Sequence, residues 1–138
     1  SPYWVVRTFF DGINESDIAK VESTFSDRLE YRILPKSLER PVMSKKLYRQ
    51  YFTGMRDRFP FKELRMITHE VVEYGRDSVT VHGTTKGMSL NGTPYDVEFV
   101  MIIHFEPSDG KHPPKILLVK EFTDSRRVID FFTEEKAK

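Results

Sequence analysis

Cysteine is absent from this chain of 138 residues, which excludes disulfides, thiol chemistry and Cys-based zinc sites. Net charge is nearly absent as well. The 22 Lys and Arg almost cancel 21 Asp and Glu and lie dispersed, so there is no concentrated basic surface and nucleic acid is not expected as a partner. No apolar run approaches the ~20 residues that cross a bilayer, so no membrane partner is expected. With no secretory leader visible, a cytoplasmic location is the default expectation, although the chain begins at Ser1 without Met, as it would after removal of a segment. The seven glycines are scattered and form neither a phosphate-binding loop nor a dinucleotide fingerprint, and no Gly-x-Ser-x-Gly elbow is present. No pair of histidines has metal-ligand spacing, so no metal is expected.

What is present suits one domain spanning residues 1–138, long enough to bury a core without staples. Eleven Phe would give a pocket apolar walls. Val6, Phe9, Phe10 and Ile13 recur at helical spacing. Ser16 and Asp17 suit the start of a second helix, with Ile18, Val21 and Phe25 as its stripe. Leu29 to Leu34 alternates as a strand, with Leu29, Tyr31 and Ile33 on one face and Arg32 on the other, ended by Pro35. Ser44 caps a third helix whose stripe is Tyr48, Phe52, Met55 and Phe59, with Pro60 as its stop. Strands follow at Arg65–Tyr74, Ser78–Leu90, Thr93–Glu106 and Lys115–Thr123, and a last helix starts near Ser125, with its tail frayed after Glu135. The order α-α-β-α-β-β-β-β-α is an α+β layout.

Asn91-Gly92 lies between two long strand-like runs and supplies the positive φ angles of a two-residue type I′ turn. That turn sets Leu90 opposite Thr93, and with it the whole register. Val79 then faces His104, Val81 faces Ile102, Gly83 faces Val100, Thr85 faces Glu98 and Gly87 faces Asp96. This face runs from apolar to acidic, as the wall of a conical pocket would. Phe99, Met101 and Ile103 fall with His82 on a mixed outer face, suited to a two-fold partner.

The chain resembles the nuclear-transport-factor-two-like superfamily and, within it, the SnoaL-like branch. The carrying features are the paired first helices, the strand Leu29-Glu30-Tyr31-Arg32, the tyrosine-rich third helix, Tyr95-Asp96-Val97-Glu98-Phe99, and the ending Lys115-Ile116 through Glu121-Phe122-Thr123-Asp124-Ser125. The stretch Tyr31 to Leu38 is similar to uncharacterised fungal SnoaL-like proteins. The resemblance implies a cone-shaped, curled antiparallel sheet wrapped around N-terminal helices, a cystatin-like roll. It implies a small, largely apolar molecule as ligand and a homodimer as common assembly. Its enzymes are cyclases, isomerases, dehydratases and epoxide hydrolases that use carboxylates, histidines and tyrosines without metal or organic cofactor; its other members bind or dimerise without catalysis.

Alternation puts Glu121 on one face of the last strand with Val119. If that strand pairs antiparallel with Thr93–Glu106, Glu121 falls near Glu98. Two carboxyl groups in a semi-apolar pocket cannot both ionise cheaply, so one pKa should rise into the range useful for proton transfer. The plainer alternative is a pair of rim salt bridges. His69 is the third candidate: a three-residue turn at Gly75-Arg76-Asp77 would bring it onto the pocket face, and other loop lengths would turn it out. Tyr31 could orient a carbonyl, and Tyr51, Met55, Phe10, Thr85, Val100 and Asp96 could line the cavity, with core packing as the alternative for the apolar ones. Two readings follow: a cofactor-free acid/base isomerase, cyclase or dehydratase, or a non-catalytic binding or dimerisation module of the same fold.

Overall fold

The structure, a computed structural model, describes residues 2–58 and 61–138. Helices α1 (Pro2–Asn14) and α2 (Ile18–Glu22) lead into strand β1 (Phe25–Leu34). After a 3₁₀ turn at Lys36–Leu38 comes α3 (Lys45–Arg58), then β2 (Phe61–Tyr74), β3 (Ser78–Ser89), β4 (Pro94–Phe105), β5 (Ile116–Thr123) and α4 (Ser125–Ala137). The element order and the α+β class are those read from the sequence.

Caps explain most of the boundaries. Ser44 Oγ accepts from the Leu47 amide and Asp124 Oδ1 from the Arg127 amide, opening α3 and α4, as side-chain oxygens do for unpaired amides at helix starts. At α2 the cap is Asp17, which accepts from Lys20 N; Ser16 has a φ of 55° instead. This helix ends at Glu22, so Phe25 belongs to β1. Phe59 and Pro60, expected as the end of α3, lie outside the described residues.

The five strands form one curled, unclosed sheet in the order β1-β5-β4-β3-β2. The meander is antiparallel, but β1 pairs with β5 in parallel, so the sheet is mixed where a wholly antiparallel one was expected. The long connection through α3 and the meander lets β5 return alongside β1 in the same direction, which no short hairpin can do. The inner face carries Leu29, Tyr31 and Ile33 of β1, with Val79 and Val81 of β3 and Val119 of β5, all buried. Helix α1 packs onto it through Val5, Val6, Phe9 and Phe10, and complete burial of a side chain such as Phe9 contributes roughly 1.5–3 kcal/mol.

The β3–β4 register differs from the expected one by a residue. Met88 faces Pro94, Val81 faces Met101 and Gly83 faces Phe99. The loop has three residues, with Ser89 N donating to Thr93 O and Gly92 N to Ser89 O. Only Gly92 takes a positive φ there, so the turn is of type I with a following left-handed glycine and not type I′. The physical reason lies 44 to 46 residues away. Glu135 of α4 accepts from Ser89 Oγ and Asn91 Nδ2, and Ser89 Oγ also accepts from Thr93 N. Asn91 therefore spends its side chain on α4. The same contacts hold the C-terminal tail, where Lys138 Nζ donates to Thr93 Oγ1, so the fraying expected after Glu135 does not occur.

This shift leaves the faces of β3 as expected and inverts those of β4. Phe99, Met101 and Ile103, expected outside, are buried in the core; Asp96, Glu98 and Val100, expected in the pocket, are exposed on the outer face, with Ile102 and His104 half-buried there. Gly83 shows why the observed register packs. A Cβ at this position would come within 2.7 Å of Phe99 Cζ and 2.5 Å of Ile67 O, so the glycine makes room for the ring.

Candidate functional site

The inner face ends in a group of phenols around one acid. Glu121 lies on β5 opposite Met101 on one side and Ile33 on the other, both inward residues. The Tyr31 hydroxyl donates to Glu121 Oε1 at 2.5 Å. The Tyr31 ring packs on Tyr48 at 4.7 Å between centroids, and Tyr48 lies 6.1 Å from Tyr51. Because Tyr48 and Tyr51 are three residues apart, α3 presents both from one face. Tyr95, inward on β4, rests against Phe131 of α4 at 4.8 Å.

Burial sets the protonation states here. It raises the Glu121 pKa above the ordinary 4.5, while the Tyr31 hydrogen bond and the Arg40 charge act in the opposite sense. Burial and then the Glu121 charge push Tyr31 well above the ordinary phenol value. Tyr48 and Tyr95 are likewise raised, first by burial, and Tyr51 is pushed up to about 12 by burial and Glu121. The phenols therefore stay protonated donors near neutral pH. Among these grouped residues Glu121 is the one whose shift moves it toward neutrality, which is what a carboxyl group needs to exchange protons with a substrate.

Beside this cluster opens a cavity of about 690 Å³. Leu47, Tyr51, Gly54 and Met55 of α3 form one wall, Val128, Ile129 and Phe132 of α4 the other, and Ile33, Leu38 and Arg40 close the end. Glu121 stands behind this wall, adjacent to Ile33 in the sheet. The size and mainly apolar lining fit a small organic ligand. A smaller groove of about 390 Å³ at the start of α4 is lined by acids and arginines, Asp96 among them. Its acids, Asp96, Asp124, Asp130 and Glu134, outnumber Arg126 and Arg127.

The other expected site residues are divided between places. Tyr31, Tyr51 and Met55 belong to the phenol cluster or the cavity. Phe10 is core, edge-on to Phe99 at 6.2 Å. Thr85 is half-buried opposite Val97, apart from the cavity lining. Glu98 and His69 are both on the outer face and so do not meet Glu121. Glu98 pairs with His82 at 2.5 Å, His69 Nε2 lies 2.7 Å from Thr84 Oγ1, and the two imidazoles stand 5.0 Å apart. The turn before β3 does have three residues, since Tyr74 faces Ser78, but a bulge between Thr68 and Glu70 reverses the parity and turns His69 out. Among the described residues no cluster of His, Asp and Glu could hold a metal ion, and no helix is long and apolar enough to cross a membrane.

Sequence reasoning missed Arg40, Gly54, Tyr95 and the α4 wall as parts of this region. Tyr48 and Tyr51 were the usable signal, two phenols three residues apart on the expected third helix and so on one of its faces. Arg40 reaches the cavity from an irregular loop, where no periodicity points to it.

The fold has known counterparts. The family model for the SnoaL-like domain matches residues 6–112. The chain belongs to the SnoaL-like family. No curated protein matches it in sequence, but solved structures of similar shape are numerous. The BvnE pinacolase from Penicillium brevicompactum superposes with a TM-score of 0.83 at 17% identity, over 96% of this chain and 92% of that one. AusH from Aspergillus nidulans gives 0.75 at 24% identity, over 90% and 84%. IdmH from Streptomyces antibioticus, a putative polyketide cyclase, gives 0.74 at 13% identity, over 96% and 99%. At these identities the likeness establishes the SnoaL-like fold alone.

Proposed function

We propose that this SnoaL-like protein binds a small, largely apolar molecule in the cavity between α3 and α4 and catalyses a cofactor-free proton transfer on it. Isomerisation, cyclisation and dehydration are the reaction types that such a step serves. Glu121 is the group that takes and returns the proton; Tyr31 holds its carboxylate, and the protonated Tyr51 donates to a substrate carbonyl. The observation that carries this reading is the half-buried Glu121 carboxyl, bonded to Tyr31 at 2.5 Å and set beside Ile33 in the sheet, directly behind an apolar cavity that Ile33 and Tyr51 line. A pinacolase and a putative polyketide cyclase on the same fold support the reaction class. Glu98 and His69 have no part in this step, because they face away from the cavity.

The test does not need the natural substrate. A panel of apolar 1,3-diketones incubated with the protein in D₂O should show enzyme-dependent exchange at the acidic carbon by NMR, and Glu121→Gln should abolish it. Exchange undiminished in that variant removes Glu121 from the mechanism.

A second reading rests on the outer face. Val72, Val100 and Phe122 stand there at 40%, 36% and 45% exposure, more apolar surface than a solvated sheet face needs. A homodimer that buries them would serve either an enzyme or a non-catalytic module. Sedimentation should then show a dimer that Val100→Lys dissociates; a wild-type monomer would end this reading.

A further inference from the structure

The wall of the main cavity is apolar but not electrically neutral. Arg40 and Lys136 both line it, and no Asp or Glu does. In a chain whose charges sum to +1, two cations without a lining acid are a local bias. The groove at the start of α4 offers the contrast, since Arg126 and Arg127 there share the lining with Asp96, Asp124, Asp130 and Glu134. Among the described residues neither Arg40 nor Lys136 forms a close ion pair of the kind that joins Arg49 to Glu22 at 3.2 Å. Arg40 is exposed at the rim, yet its charge reaches Glu121 and Tyr51. It therefore stands between solvent and the reacting end.

The second observation is Gly54. It lies inside α3 and lines the cavity, where a glycine costs helix stability relative to alanine. A Cβ there would meet nothing within 4 Å. Neither backbone conformation nor close packing asks for glycine at this position; what a side chain would do is project into open cavity.

We propose that the ligand of this cavity is an organic anion, with its charged oxygen group paired to Arg40 at the rim and its apolar body lying across Gly54 between α3 and α4. This deepens the proposed function and rests on the same cavity. A guanidinium favours an oxyanion through two parallel N–H donors, and the neighbouring apolar walls strengthen the attraction by keeping water away. Lys136, on the last turn of α4, adds positive potential on the opposite rim. The neutral part of the ligand supplies the buried area, and the anion sets which end enters.

Two dyes of the same body separate these contributions. 8-Anilinonaphthalene-1-sulfonate carries the anion, and N-phenyl-1-naphthylamine is the same molecule without it. Fluorescence titration of the wild type should show the sulfonate binding more tightly. Arg40→Gln should weaken the sulfonate about tenfold, the scale of one charge-assisted contact, and leave the neutral dye within about twofold. Gly54→Leu, which fills the open space without strain, should weaken both dyes by more than about tenfold. Should Gly54→Leu remove both while Arg40→Gln affects them equally or not at all, anion recognition is wrong and the cavity reading stands. Should Gly54→Leu leave both unchanged, the cavity is not a ligand site and the proposed function falls with this inference.

Discussion

Glu98 and Glu121 are carboxylates on adjacent strands with opposite surroundings. Glu121 points inward, beneath α3, and shares its field with four tyrosines and Arg40. Glu98 points outward, 63% exposed, against a histidine in solvent contact. The difference between them comes from one residue of register in a single hairpin. It teaches that the chemistry of a sheet carboxylate depends on the face it occupies, because burial makes the charged form costly and, at Glu121, raises the pKa.

The largest test of that contrast is catalytic. In the deuterium-exchange assay Glu121→Gln should lose about 10²-fold or more in rate, the usual contribution of a positioned acid or base, whereas Glu98→Gln should stay within about twofold. Equal losses would mean that the two faces are not functionally distinct.

The register itself can be broken next. Gly83→Val places side-chain atoms against Phe99 and the Ile67 carbonyl, and overpacking of this kind costs about 1–3 kcal/mol. Chemical denaturation should register that loss. If Gly83 instead faced Val100, as the shorter turn requires, the Phe99 clash would vanish and the substitution would be better tolerated.

Tyr31→Phe sharpens the inner half. The lost hydrogen bond costs about 1 kcal/mol of stability. It also removes an interaction that lowers the Glu121 pKa, so the rise of activity with pH should move to higher pH. Stability carries the same sign. Because the folded state holds the Glu121 proton more tightly than the unfolded one, stability contributed by this group declines as pH rises from about 4.5 towards the folded pKa. Glu121→Gln should therefore gain in melting temperature relative to wild type across that interval. The smallest effect belongs to the outer pair. An exposed ion pair is worth little, so Glu98→Gln should change unfolding free energy by about 0.5 kcal/mol or less.

Much of this architecture was legible in local sequence. The cap at Ser44, the inward set Leu29, Tyr31 and Ile33, and the facing of Glu121 all follow from alternation or from a side-chain oxygen at a helix start. These are one-strand or one-turn properties. What was not legible depends on partners distant in the chain. The turn around Asn91 is selected by Glu135, and Glu98 follows it outward. His69 is turned out by a bulge, although the turn at Gly75-Arg76-Asp77 has the three residues that would have brought it inward. Arg40 and Gly54 gain their meaning only when α3 and α4 enclose a cavity between them.

The account stands most directly on the titration of Glu121. Side-chain carboxyl ¹³C resonances, followed by NMR against pH and assigned with Glu121→Gln, should give Glu121 a pKa above the ordinary glutamate value of 4.5. A value at or below it would mean a solvated, charged carboxylate, and the inner face would then hold no group tuned for proton transfer.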